Sequence, residues 1–152
     1  MTLSSDIHVL LRNSTQIGTG SARNRDFVIG LGADEYVDYT AQDVADAVQD
    51  ADVVFDTVGG DTTESLVPAV RSGGIIVTIA GPPPEDAAGE RGARAALHIT
   101  SPDAEELAQI GELVAAGDVH VEIAEVLPLA EVARGHELSE TGHTRGKIVL
   151  TV

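Results

Sequence analysis

The run Gly18-Thr19-Gly20-Ser21-Ala22-Arg23-Asn24-Arg25 holds the residues whose types and spacing point most directly to chemistry. Ser21 is a residue type that begins helices, and the segment after it predicts a helix that packs Phe27, Val28 and Leu31 and stops at Gly32. Arginines in the first turn of a helix oppose its dipole, at a cost of about 0.3–1 kcal/mol at an exposed site. Two of them there imply a use, and binding a phosphate is such a use. The alternative is a solvated surface turn in which Asp26 balances one of the charges. A second group, Thr57, Val58, Gly59 and Gly60 with Ile79, Ala80 and Gly81, closes two apolar runs with small residues. Such residues at strand ends let a ligand approach the backbone closely, and equally serve ordinary turns.

The elements that must position these groups are the runs themselves. ADVVFDTVGG (51–60) and GGIIVTIAGP (73–82) are unbroken apolar stretches of strand length ending in glycine. That pattern predicts central parallel strands buried on both faces. Between them, DTTESLVPAVRS has an acidic start and an apolar stripe at Leu66, Val67 and Val70, and predicts a helix stopped at Gly73-Gly74. In such sheets ligands sit beyond the carboxyl ends of the strands, at Thr57–Gly60 and Ile79–Gly81.

Residues 1–13 carry a possible cap at Ser4 or Ser5 and an apolar stretch, Ile7–Leu11, compatible with a helix or a strand. Strands are predicted at Thr15–Thr19, Tyr36–Tyr39 and 94–100, and a helix at 41–51 with Val44 and Val48 on one face. Residues 81–94, rich in proline and glycine, read as an exposed, mobile loop. SPDAEELAQIGELVAAG predicts a helix with Ser101 as cap, Pro102 in the first turn, a stripe of Leu107, Ile110, Leu113 and Val114, and a stop at Gly117. A strand around 119–126, a helix around 129–139 and a strand at Lys147–Val152 complete the chain. Strands alternating with helices predict an open α/β fold with a mostly parallel sheet.

The 152 residues predict one domain, with an atypical start at 1–14 and a tail at 119–152. With no cysteine, the chain cannot form disulfides, thiolate zinc sites, Fe–S clusters or a cysteine nucleophile. A formal net charge of −16, with Lys147 the only lysine, argues against nucleic acid and anionic lipid as partners. No apolar run reaches membrane-span length and MTLSSD is not a signal peptide, so a cytoplasmic protein is expected.

SARNRDFVIGLGADEYVDY, DVVFDTVGG, GGIIVTIAGPP and ELSETGHTRGKIVLTV occur in the order in which similar segments occur in the medium-chain dehydrogenase/reductase family. Over about residues 15–152 the chain resembles the cofactor-binding half of that family, most closely its zinc-independent, quinone-oxidoreductase-like branch. The resemblance implies a truncated Rossmann-like, doubly wound α/β domain with helices on both faces of a mostly parallel sheet. It also implies hydride transfer from NADPH to a quinone, enone or carbonyl compound, with no catalytic side chain in this portion. The family's preceding catalytic domain, first strand and glycine-rich turn have no counterpart before Thr15, so the implied oxidoreductase is incomplete for catalysis alone. A non-catalytic module for self-association or partner binding is the alternative.

Taken as the family's second strand and turn, the 17–25 region implies NADP(H) as cofactor. A carboxylate there favours the ribose hydroxyls of NAD, whereas a small hydroxyl and arginine accommodate a 2′-phosphate. Ser21, Arg23 and Asn24 would serve the phosphate and Tyr39 would lie against it, while Thr57, Val58, Gly59, Ile79, Ala80 and Gly81 would line the ribose and nicotinamide. Lys147 matches a position near the cofactor cleft, though a lysine opening a strand more simply protects an edge. The resemblance further implies a homo-oligomer through the strand at 94–100, and apolar faces at Val121, Ile123, Ile148 and Leu150 in need of cover.

A different assignment of the same turn takes Gly18, Gly20 and position 23 as the fingerprint G-x-G-x-x-G, with Asp38 at the spacing of a ribose-binding acid. Arg23 stands where the third glycine belongs, which argues against it. His8, His98, His120, His136 and His143 show no tight ligand pairing; His120 and Glu122 would share one strand face, too few for zinc. Ser65 and Ser72 lack a nucleophile-elbow context. Glu105 and Glu106 read as a solvated helix face.

Overall fold

A computed structural model describes residues 14–142 and 144–152. The expectations for 1–13, and those for His8 and His143, lie outside the described residues. The chain divides into two compact units, one ending at Thr100 and the other running from Ser101 to Val152. Among the described residues no helix is long and apolar enough to cross a membrane.

In the first unit β1 (Ile17–Gly20) pairs in parallel with β2 (Glu35–Asp38), Gly20 lying opposite Asp38. Parallel neighbours need a crossover, here a 3₁₀ turn at Ala22–Asn24 and α1 (Arg25–Gly30). Ser21 precedes the turn but its hydroxyl makes no capping bond to the helix backbone, and Leu31 is exposed rather than packed. The short helix α2 (Val44–Ala47) starts on Asp43, whose carboxylate accepts the Ala45 N–H at 2.8 Å. Three further parallel strands form a second sheet in the order β3 (Ala51–Asp56), β4 (Val70–Thr78), β5 (Arg94–Leu97). The expected α/β architecture with parallel pairing is present, but the strands of this unit form a two-stranded and a three-stranded sheet rather than one.

Three local expectations are corrected. The helix after β3, α3, covers only Asp61–Leu66 and gives way to a 3₁₀ turn at Val67–Ala69 containing Pro68. Proline has no N–H with which to continue the helical ladder. Val70 therefore opens β4 opposite Ala51, and the next pair along is Val53 with Ile75, so Gly73, with φ +78°, sits in a bulge instead of ending a helix. Residues 81–94 are not simply a loop, because Glu85–Glu90 form α4 with Ala88 buried. Two acids in its first turn suit the helix dipole. Arg91, just beyond it, donates to the carbonyls of Pro68 at 2.9 Å and Val70 at 3.4 Å.

The third correction concerns β3. Its Val54 and Asp56 face the packed side, but Val53 and Phe55 are 61% and 62% exposed. Among the described residues no strand pairs with its other edge, so it is an edge strand. The core lies on one side: Val70, Ile76, Ala88 and Ala93 pack with Val54, Leu66 and Ala95. A second cluster, Val37, Ala45, Val48 and Ala69, ties β2 to α2 and to the turn before β4.

The second unit begins with α5 (Ala104–Ala116). Asp103, not Ser101, is its cap; the carboxylate accepts the N–H groups of Glu105 and Glu106 at 2.8 and 3.0 Å. The helix stops at Gly117 as expected, but Leu107 and Ile110 of its stripe are exposed. The strand expected near 119–126 is β6 (Ile123–Pro128), parallel to β7 (Lys147–Thr151), with α6 (Val132–Glu140) between them. Gly135 of α6 lies 3.7 Å, measured from an ideal Cβ, from side-chain carbons of Leu127, Ile148 and Leu150. Arg134 bridges Glu125 and Glu131 at 2.5 and 3.4 Å. His120 and Glu122 precede the strand and hydrogen-bond to each other at 3.2 Å on the surface.

Candidate functional site

The carboxyl ends of β1 and β2 gather the first group. The Ser21 carbonyl accepts the Asn24 N–H at 2.8 Å and the Tyr36 hydroxyl at 2.7 Å. The Asn24 side-chain amide reaches the Ser21 hydroxyl at 3.4 Å, and the Tyr39 N–H donates to the Gly20 carbonyl at 3.2 Å. Ser21 and Asn24 are half-buried, while Arg23, Arg25 and Tyr39 are exposed. The structure thus brings Ser21, Arg23, Asn24 and Tyr39 to one end of one strand pair. Among the described residues neither Arg23 nor Arg25 pairs with a carboxylate, Asp26 included.

The acid of the alternative fingerprint is engaged locally. Asp38 accepts the Thr40 hydroxyl at 2.6 Å and the Thr40 N–H at 2.9 Å, and these bonds hold its carboxyl below the usual value. The fingerprint glycines also have packing explanations. A Cβ at Gly18 would strike Val28 of α1, and one at Gly20 would strike the Tyr36 hydroxyl. Burial, then the negative charge of Asp38, push the Tyr36 phenol up, with Arg25 opposing them.

The second group sits at the ends of β3 and β4 and is built on Asp56. This carboxylate, 3% exposed, accepts the N–H groups of Val58 at 2.9 Å and Gly59 at 3.0 Å, together with the hydroxyls of Thr63 and Thr78. Burial alone would raise its pKa, but the bonds from Thr63, Val58, Gly59 and Thr78 outweigh that effect and leave it below the usual carboxylate value. The Asp56 carbonyl takes the Ile79 N–H at 3.1 Å, and Thr78 takes the Ala80 N–H at 3.2 Å. Gly59, at φ +83°, is buried against the Ala80 carbonyl, so that a Cβ there would lie 2.5 Å from the oxygen. Thr57, Val58, Ile79 and Ala80 face solvent beside this junction, with Gly81 half-buried. A cavity of about 600 Å³ opens where Ile79–Pro82 meet Leu97–Thr100.

Asp56, Thr63, Thr78 and Tyr36 were missed from the sequence. An acid that ends an apolar run just before a glycine pair was the available signal for Asp56. Lys147 belongs to the second unit, where with His136 and Ser139 it lines a cavity of about 470 Å³.

A model of the family described as zinc-binding dehydrogenase matches residues 31–150. The chain belongs to this family. It is the cofactor-binding half of a medium-chain dehydrogenase/reductase of the quinone-oxidoreductase-like kind, as the four segments implied. It is 31% identical over 144 residues to a protein of Arthroderma benhamiae named a probable zinc-binding oxidoreductase, mitochondrial, covering 90% of this chain and 44% of that protein. It is 28% identical to the chloroplastic NADPH-dependent alkenal/one oxidoreductase of Arabidopsis thaliana, covering 87% of this chain and 32% of that one. The solved quinone oxidoreductase of Coxiella burnetii superposes with a TM-score of 0.84 at 32% identity, covering 95% of this chain and 47% of that chain. The family member described here therefore spans less than half the length of these relatives.

The family's description names zinc, but the residues present do not fit a zinc centre. The sequence has no cysteine, and among the described residues no three His, Asp or Glu side chains converge.

Proposed function

We propose that this chain binds NADP(H) as the cofactor-binding half of a quinone-oxidoreductase-like enzyme, whose reaction is hydride transfer to a quinone, enone or carbonyl compound. The observation that carries the proposal is the end of β1 and β2, where Ser21, Arg23, Asn24 and Tyr39 come together and, among the described residues, the arginines are not spent on carboxylates. A small hydroxyl, an amide and an unneutralised guanidinium suit a phosphate monoester on the adenosine ribose. The Asp56 junction supports the same reading: its donors hold the 57–59 turn against Ala80, leaving Thr57, Val58, Gly59, Ile79, Ala80 and Gly81 to present backbone at the strand ends. These would line the ribose and nicotinamide.

The dinucleotide supplies the hydride when bound; the protein binds and orients it. Asp56 is the buried carboxyl at that junction, and its donors hold it ionised, so it orients the turn and is no proton donor at neutral pH. The outer edge of β5, unpaired among the described residues, is where copies of the chain would associate.

Parallel calorimetric titration with NADPH and NADH tests the proposal. NADPH should bind saturably and more tightly than NADH. Arg23→Ala should weaken NADPH by about tenfold to a hundredfold, the worth of one charged hydrogen bond, and leave NADH unchanged. Equal affinity for both nucleotides, or binding of neither, would refute it.

A further inference from the structure

We infer that Tyr36 is a positioning residue for phosphate recognition, acting by tethering the Arg23-bearing turn to strand β2; the inference rests on the NADP(H) reading above. The Ser21 carbonyl receives two hydrogen bonds from different sources. One, from Asn24, closes the 3₁₀ turn on itself; the other, from the Tyr36 hydroxyl, comes from fifteen residues away. The second ties the turn to the sheet through a side chain, as does the Asp38 carboxylate, which accepts the Ala22 N–H. The hydroxyl reaches the carbonyl across the α-carbon of Gly20, where any Cβ would collide with it. Gly20 and Tyr36 are thus one device: the glycine opens the path and the phenol uses it. The ring is half-buried, and burial and then the Asp38 carboxylate raise the phenol above its ordinary value, so the donor persists at neutral pH.

The consequence falls on Arg23 and Asn24. Both belong to the 3₁₀ turn that begins directly after Ser21; Arg23 is exposed, and Asn24 is half-buried with its side-chain amide on the Ser21 hydroxyl at 3.4 Å. With the hydroxyl gone, the Ser21 carbonyl still has Asn24 and the Asp38 carboxylate still accepts the Ala22 N–H, so the turn survives but is held to β2 by one side chain instead of two. A guanidinium placed for one phosphate then samples positions away from it, and the lost orientation appears as lost affinity for that phosphate alone.

The test titrates NADPH and NADH against the wild-type chain, Tyr36→Phe, Arg23→Ala and the double variant, and measures amide hydrogen exchange at Asn24 without nucleotide. Tyr36→Phe should weaken NADPH about three- to tenfold, the span of one neutral hydrogen bond, without changing NADH. The double variant should bind NADPH no more weakly than Arg23→Ala, because Tyr36 acts through Arg23. The Asn24 amide should exchange faster in Tyr36→Phe, while Ile76 in β4 keeps its protection. Gly20→Ala, which displaces the hydroxyl without removing it, should reproduce these effects and serves if Tyr36→Phe folds poorly. Unchanged NADPH binding, equal losses for both nucleotides, additive losses in the double variant, or an unchanged Asn24 amide would each overturn the inference. If the wild-type chain prefers NADPH and Tyr36→Phe binds NADPH as tightly as the wild type does, this inference alone fails. If the wild-type chain binds neither nucleotide, the functional proposal fails with it.

Discussion

Removing the Asp56 carboxylate should unfold the first unit from its ligand end. In Asp56→Ala three donors in buried surroundings, the Gly59 N–H and the hydroxyls of Thr63 and Thr78, lose their acceptor, while the Val58 N–H lies where water can replace the loss. A buried donor left unpaired costs about 1–3 kcal/mol, so the variant should lose about 3–9 kcal/mol. Asp56→Asn should be milder, at about 1–2 kcal/mol. Its oxygen can keep the two amides and its NH₂ can donate to a threonine hydroxyl turned to accept, so only the advantage of a charged acceptor is forfeited. The pH dependence separates charge from shape. The folded-state pKa of Asp56 lies below its unfolded value of about 3.9, so its contribution is fully present above that value and is lost as pH falls through the folded pKa. The stability gap between wild type and Asp56→Asn should therefore be constant above about pH 5 and shrink below about pH 4. With no tryptophan in the chain, urea unfolding followed by far-ultraviolet circular dichroism at pH 7 and pH 3 is the assay. A loss under about 1 kcal/mol in Asp56→Ala, or a gap to Asp56→Asn that is equal or larger at pH 3, would refute the reasoning.

Gly59→Ala should cost about 2 kcal/mol or more, because the left-handed backbone alone penalises a side chain by about 1–2 kcal/mol and the new Cβ meets the Ala80 carbonyl; a variant that melts and binds nucleotide like wild type would exclude that close approach. Ile76→Ala, at a site 1% exposed, should lose about 2–5 kcal/mol in the same urea assay, whereas Phe55→Ala, on the open side of β3, should lose under about 1 kcal/mol. A loss of about 3 kcal/mol or more at Phe55 would mean that its face is covered in solution.

Legibility of the fold tracked how local the deciding forces are. The strands β3 and β4 were readable because apolar runs closed by small residues carry their own signature, and α5 because its caps and periodicity are local. Its cap moved from Ser101 to Asp103 since both are capping types and only the geometry shows which accepts the amides. The helix at 61–72 was overestimated because Pro68 and the pairing of Val70 with Ala51 outweighed a stripe that looked helical. α4 was hidden by its composition: Pro82, Pro83 and Pro84 read as loop, yet proline is tolerated at a helix start, and Ala88 supplied the buried anchor. At the candidate site the cluster of Ser21, Arg23 and Asn24 was visible because its members are contiguous. Asp56 was not, since Thr63 and Thr78 reach it from positions with no periodic relation to it.

The largest departure, the exposed side of β3, is of another kind. Val53 and Phe55 alternate with Val54 and Asp56, so the apolar content on both faces was correctly read from the sequence, and only the inference to burial failed. Burial belongs to the neighbours of a strand as much as to the strand. In the first unit those neighbours, Ile76, Ala88, Ala93 and Leu66, all stand on the side of Val54. An apolar pattern reports what a face can bury against, whereas the number of elements at hand decides whether it does. The Phe55→Ala measurement distinguishes the two, because its cost is set by what covers the ring and not by the sequence that placed it there.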